Sequence, residues 1–290
     1  MITKPAGGLQ VSQLATNQQR TRSIFGRKLT DSARTERILF ALLGLIAILL
    51  IWSILGIFLG SGRFPILSAP WTVFKNGWSI RSQLSSDILA SLKEAFGGWI
   101  IGSVAAIVLA VLAGQFRFFE HLIMPVIELL RPISPIAWAP LGIIWFGANY
   151  TGKVFLVSLV CFFFVIVHAL EGTLRRDPVL SQARSMLMMG RIRTLFMIDL
   201  PEAVPQILIG LRLAIAGAWG GMVVAEIVGG QGSAGIGSLE LFAEEAVNLP
   251  EILFGIVLIA ILGYLSSMIF DKASRLIFPW APEARADIVD

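Results

Sequence analysis

Cysteine occurs once in the 290 residues, at Cys161, so the chain cannot form an internal disulfide. Inside an apolar run this thiol reads as a small buried hydrophobe. Histidine occurs twice, at His121 and His168. With no H-E-x-x-H and no cluster of cysteine and histidine, metal sites of the usual spacing are excluded, and each histidine reads as structural or interfacial. The phosphate-cradling G-x-x-x-x-G-K-[ST] is missing, so the chain does not bind ATP through a P-loop of its own. A rhomboid-like serine protease would need G-x-S-G. The chain offers Gln231-Gly232-Ser233-Ala234, which lacks the glycines in place, so an intramembrane enzyme lacks its parts. Charge is scarce as well. Charged residues make up 14% of the chain, where a soluble domain carries about 25%.

Apolar residues fill the space left by these absences. They make up 56% of the chain, with a mean hydropathy of +0.80. They lie in continuous runs long enough to cross a bilayer, which takes roughly 20 residues per helix. Continuous rather than alternating runs favour helices over a β-barrel. The expectation is an all-α polytopic membrane protein with about six transmembrane helices: residues 38–60, 89–114, 121–146, 154–170, 204–228 and 250–270. The third of these is broken by Pro125, Pro132, Pro135 and Pro140 and reads as one bent helix or two pieces meeting at depth. Residues 63–87 read as a mixed loop and residues 229–249 as a glycine-rich acidic loop carrying Glu240, Glu244 and Glu245.

The net charge of +4 and a pI near 9.6 would suggest nucleic acid in a soluble protein. Here the bias of cytoplasmic loops explains them more simply, and no nucleic-acid partner is expected. With both termini inside, the inner segments hold 16 of the 23 Lys and Arg. Seven of these lie in the N-terminal tail, one in the 115–120 turn, five in segment 171–201 and three beyond the last span, at Lys272, Arg275 and Arg285. The outer segments hold Arg63, Lys75, Arg81 and Lys153, which predicts N-in and C-in. The domain reading is a cytoplasmic tail over 1–37, a transmembrane domain over 38–278 and a cytoplasmic tail over 279–290.

Segment 171–201 combines Arg175, Arg176, Arg184, Arg191 and Arg193 with an apolar centre at Met186, Leu187, Met188 and Met189. A basic, apolar-tipped loop between spans suits docking to something in the cytoplasm. Ionisable groups within spans are costly and usually mean something. Glu128 and Arg131, at i and i+3, can pair, whereas Arg212 and Glu226 share a face without touching. Lys93 and Glu94 read as a helix start. Gly56/Gly60, Gly98/Gly102 and Gly217/Gly221 fit G-x-x-x-G. The cluster Gly217-Ala218-Trp219-Gly220-Gly221 suits an oligomer contact or a pore wall.

Ile198-Asp199-Leu200-Pro201, followed by Ile209-Gly210-Leu211-Arg212, resembles the signature region of permease subunits of binding-protein-dependent ABC importers. There a motif of the form E-A-A, three residues, G, nine residues, I-x-L-P lies in the cytoplasm. Counting back from Pro201 places Gln182-Ala183-Arg184 at E-A-A and Met188 at the glycine, with Gly190 two residues on. Only Ala183 matches in this first half, and methionine at the glycine offers a deformable apolar contact instead. Glu128 to Leu141, with Ile144-Trp145-Phe146-Gly147 and Ala225-Glu226 before Gly232 to Gly237, is similar to the nitrate, sulfonate, taurine and bicarbonate subfamily.

This resemblance implies a type I ABC importer permease in a bacterial inner membrane. Its partners would be two ATP-binding subunits, a second permease subunit expected to be a copy of the same chain, and a periplasmic or lipid-anchored binding protein. It also implies that Gln182, Ala183, Arg184, Met186, Leu187, Met188 and Gly190 couple to the ATPase. No cofactor is expected in this chain, since ATP and Mg would lie in the partner. The cargo expected from the subfamily is a small anion. Ser134, Trp138, Trp219, Met222 and Glu226 are the candidate pathway residues, from the proline-broken and glycine-rich spans. A secondary transporter or channel without ATP is the rival; it accounts for the spans but not for the docking loop.

Overall fold

The computed structural model describes residue 36 and residues 39–60, 67–174, 190–230 and 234–281. Among the described residues every regular element is a helix. Gln182, Ala183, Arg184, Met186, Leu187 and Met188 of the coupling segment lie outside them, as does nearly all of the N-terminal tail.

The chain divides into residues 1–70 and 71–290. In the first unit, α1 (Leu39–Gly60) is apolar throughout, and its large side chains stand exposed, Phe40 and Phe58 among them. Lipid is as apolar as these side chains, so such a helix needs no protein cover. Trp52 Nε1 donates to the Ser68 carbonyl at 3.0 Å and closes the end of the unit.

The second unit runs α2 (Pro70–Ser79), α3 (Arg81–Gln115), α4 (Arg117–Leu130), α5 (Pro135–Phe146) and α6 (Tyr150–Leu174). After segment 175–189 come α7 (Arg191–Thr194), a π-helical turn (Leu195–Asp199), α8 (Leu200–Val228), α9 (Ile236–Glu245) and α10 (Leu249–Ile277). The π-helical turn joins α7 to α8 without a break, so Ile192–Val228 is one rod of 37 residues. Proline at the first turn starts α5, α8 and α10, where the missing N–H has no helical partner to lose. Gly147, at φ 82°, ends α5 in the left-handed region open to glycine.

Among the described residues five helices are long and apolar enough to cross a membrane: α1, α3, α6, the Ile192–Val228 rod and α10. The expected sixth span is two pieces, α4 of 14 residues and α5 of 12, split at Arg131–Ser134. Ser134, just before Pro135, is extended at ψ 139°, because proline disfavours helical backbone in its predecessor. Two loop expectations are corrected. Residues 63–87 contain α2 and the first turns of α3, and residues 229–249 contain α9.

The core is a three-helix packing of α3, α6 and α8, built from small and branched side chains. Ala106 and Ala110 of α3, Val157, Cys161 and Val165 of α6, and Ala214 and Met222 of α8 are fully or nearly fully buried. Close approach comes from glycine. A methyl group at Gly102 would strike the Ser158 carbonyl, and one at Gly98 would strike Val157. A methyl at Gly217 would come within 2.6 Å of the Phe164 ring and one at Gly221 within 3.0 Å of Val160. Both glycine pairs therefore face α6 inside this chain rather than an oligomer seam or a pore. Arg212 of α8 pairs with Asp271 of α10 at 2.9 Å.

Candidate functional site

Buried polar chemistry concentrates where α3, α6 and α8 meet the start of α9. A helix leaves its first N–H groups without partners in the helix. In α9 three successive N–H groups are answered by three side chains from other elements. Gly235 N–H donates to Asp87 Oδ1 (3.2 Å), Ile236 N–H to Ser91 Oγ (2.9 Å) and Gly237 N–H to Glu226 Oε2 (2.6 Å). Ser91 donates in turn to Glu226 Oε1 at 2.6 Å. Ser91 and Glu226 are both 0% exposed. Gly235 sits at φ 152°, and any Cβ there would collide with the Glu226 carboxylate, so two independent constraints select glycine.

One turn along α3, Glu94 pairs with Lys153 of α6 at 3.0 Å, and both side chains are at most 5% exposed. Taking two charges out of water is expensive unless they meet closely, as these do. The pair corrects two expectations: Lys153 is not a solvated loop cation, and Glu94 lies deep within α3 rather than at its start.

The five expected pathway residues are not brought together. Trp219, Met222 and Glu226 are buried in the bundle, at 4%, 0% and 0% exposure, while Ser134 is exposed. Trp138 lines a separate half-open pocket of about 220 Å³ between the α4–α5 break and α6. Arg131 and His168 line the same pocket. The expected Glu128–Arg131 pair is not formed; both side chains are exposed. Sequence reasoning missed Asp87, Ser91 and Lys153. Nothing local marks them, because their partners lie 59 to 148 residues away.

Of the expected coupling residues only Gly190 is described, and it is exposed just before α7. The following motif is tied into the bundle. Gln115 Nε2, at the end of α3, donates to Asp199 Oδ2 at 2.7 Å. On α9, Glu240 packs against α10 where Gly255 leaves room; a Cβ at Gly255 would lie 2.7 Å from Glu240 Cγ. Glu240 Oε1 is buried without a hydrogen-bond partner, and burial pushes this carboxyl up to about 7.

Among the described residues the fold is a polytopic helical bundle in which a buried hydrogen-bond network and the Glu94–Lys153 pair tie α3, α6, α8 and α9 together. The family described as the binding-protein-dependent transport system inner membrane component matches residues 98–281. This chain belongs to that family of ABC transporter permeases. A probable ABC transporter permease of Brucella abortus (strain 2308) is 30% identical over 223 residues, covering 77% of this chain and 86% of that protein. The putative aliphatic sulfonates transport permease of Bacillus subtilis (strain 168) is 29% identical over 236 residues, covering 80% of this chain and 84% of that protein. Among solved structures, the MetNI methionine ABC transporter in an inward-facing conformation matches with a TM-score of 0.53. At 17% identity, covering 69% of this chain and 96% of the other, that likeness speaks for the fold alone.

Proposed function

We propose that this chain is the membrane-spanning subunit of an ATP-driven, binding-protein-dependent importer for a small anion, working by alternating access in a bacterial inner membrane. Residues 1–37 and 279–290 are its cytoplasmic tails, and 171–201 is the segment that docks on the ATPase. Two ATP-binding subunits supply ATP, Mg and hydrolysis. A second permease subunit completes the pathway, and an external binding protein delivers the cargo. No covalent chemistry takes place in this chain.

The observation that carries this reading is mechanical. The described C-terminal end of segment 171–201 already belongs to the Ile192–Val228 rod, and Gln115 ties Asp199 within it to the end of α3. A push on the segment, which starts at the end of α6 and ends in α8, would therefore reach all three core helices, as rocking of packed helices requires. The pathway on this reading passes Ser134 and Trp138 at the α4–α5 break, while Trp219, Met222 and Glu226, buried in the bundle, serve to hold α8 in its packing. A sulfonate-type anion is the cargo favoured by the relatives.

Co-purification tests the reading. The wild-type chain brings down an ATPase subunit, and removal of residues 182–189 releases it. Transport that persists with no ATPase bound would overturn the proposal in favour of a secondary transporter. Gln115→Ala is expected to leave the ATPase bound while lowering transport per ATP hydrolysed.

A further inference from the structure

The buried joint of α3, α6, α8 and α9 holds two carboxyls, and their four oxygens meet only three donors. Lys153 Nζ donates to Glu94 Oε1 at 3.0 Å. Ser91 Oγ donates to Glu226 Oε1 and Gly237 N–H to Glu226 Oε2, both at 2.6 Å. Glu94 Oε2 is buried with no partner among the described residues. The Glu226 carboxyl lies beside Glu94, within hydrogen-bonding reach. Exposure is 4% at Glu94 and 0% at Glu226, so bulk water does not answer the fourth oxygen.

Ionised carboxylates accept hydrogen bonds and cannot donate them. Two in contact repel, the more so away from water, and such pairs keep one proton between them. The charges here do not balance without it. Lys153 supplies one positive charge against two carboxyls. The N-terminus of α9 adds about half a charge, too little to hold a second anion against the first. The other ionisable groups nearby are turned elsewhere. Lys93 is exposed, Asp87 and Glu251 line a polar pocket, and Glu240 packs against Gly255 of α10. A metal cation is a poor occupant, because the Lys153 ammonium already stands on Glu94.

We infer that Glu94 and Glu226 bind a single proton between them, and that this proton keeps α9 latched to α3 and α8. With the proton in place, Glu94 Oε2 and Glu226 are bridged, and one negative charge remains to face Lys153. Glu226 then stays where Ser91 and the Gly237 N–H reach it. When the proton leaves to water, two adjoining carboxylates push apart, and Glu226 loosens the start of α9. Water is near enough to take the proton. The half-open pocket of about 270 Å³ lined by Asp87, Ser238 and Glu251 also touches Gly235, beside the latch. The site belongs to this chain alone and stands whether or not the importer reading does.

Infrared spectra of the full-length protein in phosphatidylcholine nanodiscs at neutral pH count the proton. A protonated carboxyl has a C=O stretch that a carboxylate lacks. Subtracting Glu94→Gln from wild type should leave one such band, shifted in heavy water, and subtracting Glu226→Gln should leave the same band. Either variant leaves one carboxylate facing one ammonium, and that pair needs no proton. Lys153→Met, with no cation left, should enlarge the band, because both carboxyls then take a proton. Glu240→Gln should leave this band in place.

Absence of the band from both differences overturns the proposal. A band that survives in one of the two glutamine variants marks an ordinary buried acid and overturns the sharing. Melting temperatures show which variants are folded. Should Glu226→Gln unfold, Glu94→Gln and Lys153→Met still decide, since the first must lose the band and the second must enlarge it. Hydrogen exchange at the Ile236 and Gly237 amides reads the latch separately. Raising the pH should speed exchange more in wild type than in Glu94→Gln, whose joint has no proton to lose. Equal acceleration in the two overturns the latch.

Discussion

Glu226 makes two hydrogen bonds that no water can replace, one from the Ser91 hydroxyl and one from the Gly237 N–H. Truncation to alanine orphans both donors inside the protein, with an expected cost of about 2 to 4 kcal/mol. Glutamine keeps an acceptor for one donor and should lose about half as much. Melting temperatures in detergent rank the variants: wild type highest, Glu226→Gln next, Glu226→Ala lowest. Equal melting temperatures would show that the start of α9 is held elsewhere. Glu240 acts through pH instead. An unfolded glutamate titrates at about 4.3, and in the fold burial raises this one to about 7. Between those values the native protein binds more protons than the unfolded chain, so stability falls as pH rises from about 4 to about 7 and then levels. Glu240→Gln, neutral throughout, should lose that slope, so the gap in melting temperature between it and wild type widens from about pH 5 to about pH 8. A constant gap would mean that water reaches the carboxylate.

At the scale of elements, α3 and α6 approach as closely as their glycines allow. Valine at Gly102 would drive a side chain into the Ser158 carbonyl, which belongs to a helix backbone and cannot turn aside. Overpacking of this kind costs about 1 to 3 kcal/mol or more. Gly102→Val is expected to lower the yield of folded protein and its melting temperature, whereas alanine at Gly220, which faces open space, changes neither. Long elements were readable from sequence because an unbroken apolar run of roughly 20 residues fits a membrane span and little else. α9 was not. It has ten residues, opens with no capping side chain of its own and looks like a glycine-rich acidic loop. Its cap arrives from Asp87, Ser91 and Glu226, which no local window contains. The same separation hid the Glu94–Lys153 pair and turned an apparent loop cation into a core residue. The family motif at Ile198–Pro201 could be read directly, because a short fixed spacing survives in one dimension. The pocket of Arg131, Trp138 and His168 could not, since it exists only once α5 folds back along α6.

For the whole molecule the open question is one of parity. The five long helices found among the described residues would by themselves leave the two termini on opposite sides of the membrane. The distribution of Lys and Arg favours both termini inside. With Lys153 removed to the core, the segments expected outside retain only Arg63, Lys75 and Arg81, which sharpens the expected asymmetry. Both termini can lie inside only if α4 and α5 together carry the chain across. At 1.5 Å per residue their 14 and 12 residues measure about 21 Å and about 18 Å. Neither spans the roughly 30 Å of hydrocarbon alone, and the two in sequence do so only if they run in line. The turns at each end of the pair should then face opposite compartments. Cys161, the sole native cysteine, is buried, so single introduced cysteines report without background. With a membrane-impermeant maleimide on intact cells, Ala148→Cys and Ala246→Cys should label, while Arg117→Cys and Ser185→Cys should label only after permeabilisation. Labelling of Arg117→Cys and Ala148→Cys from the same side would make α4–α5 a re-entrant pair. It would also put the C-terminus opposite the N-terminus, and the tail and coupling-segment assignments would have to be redrawn from there.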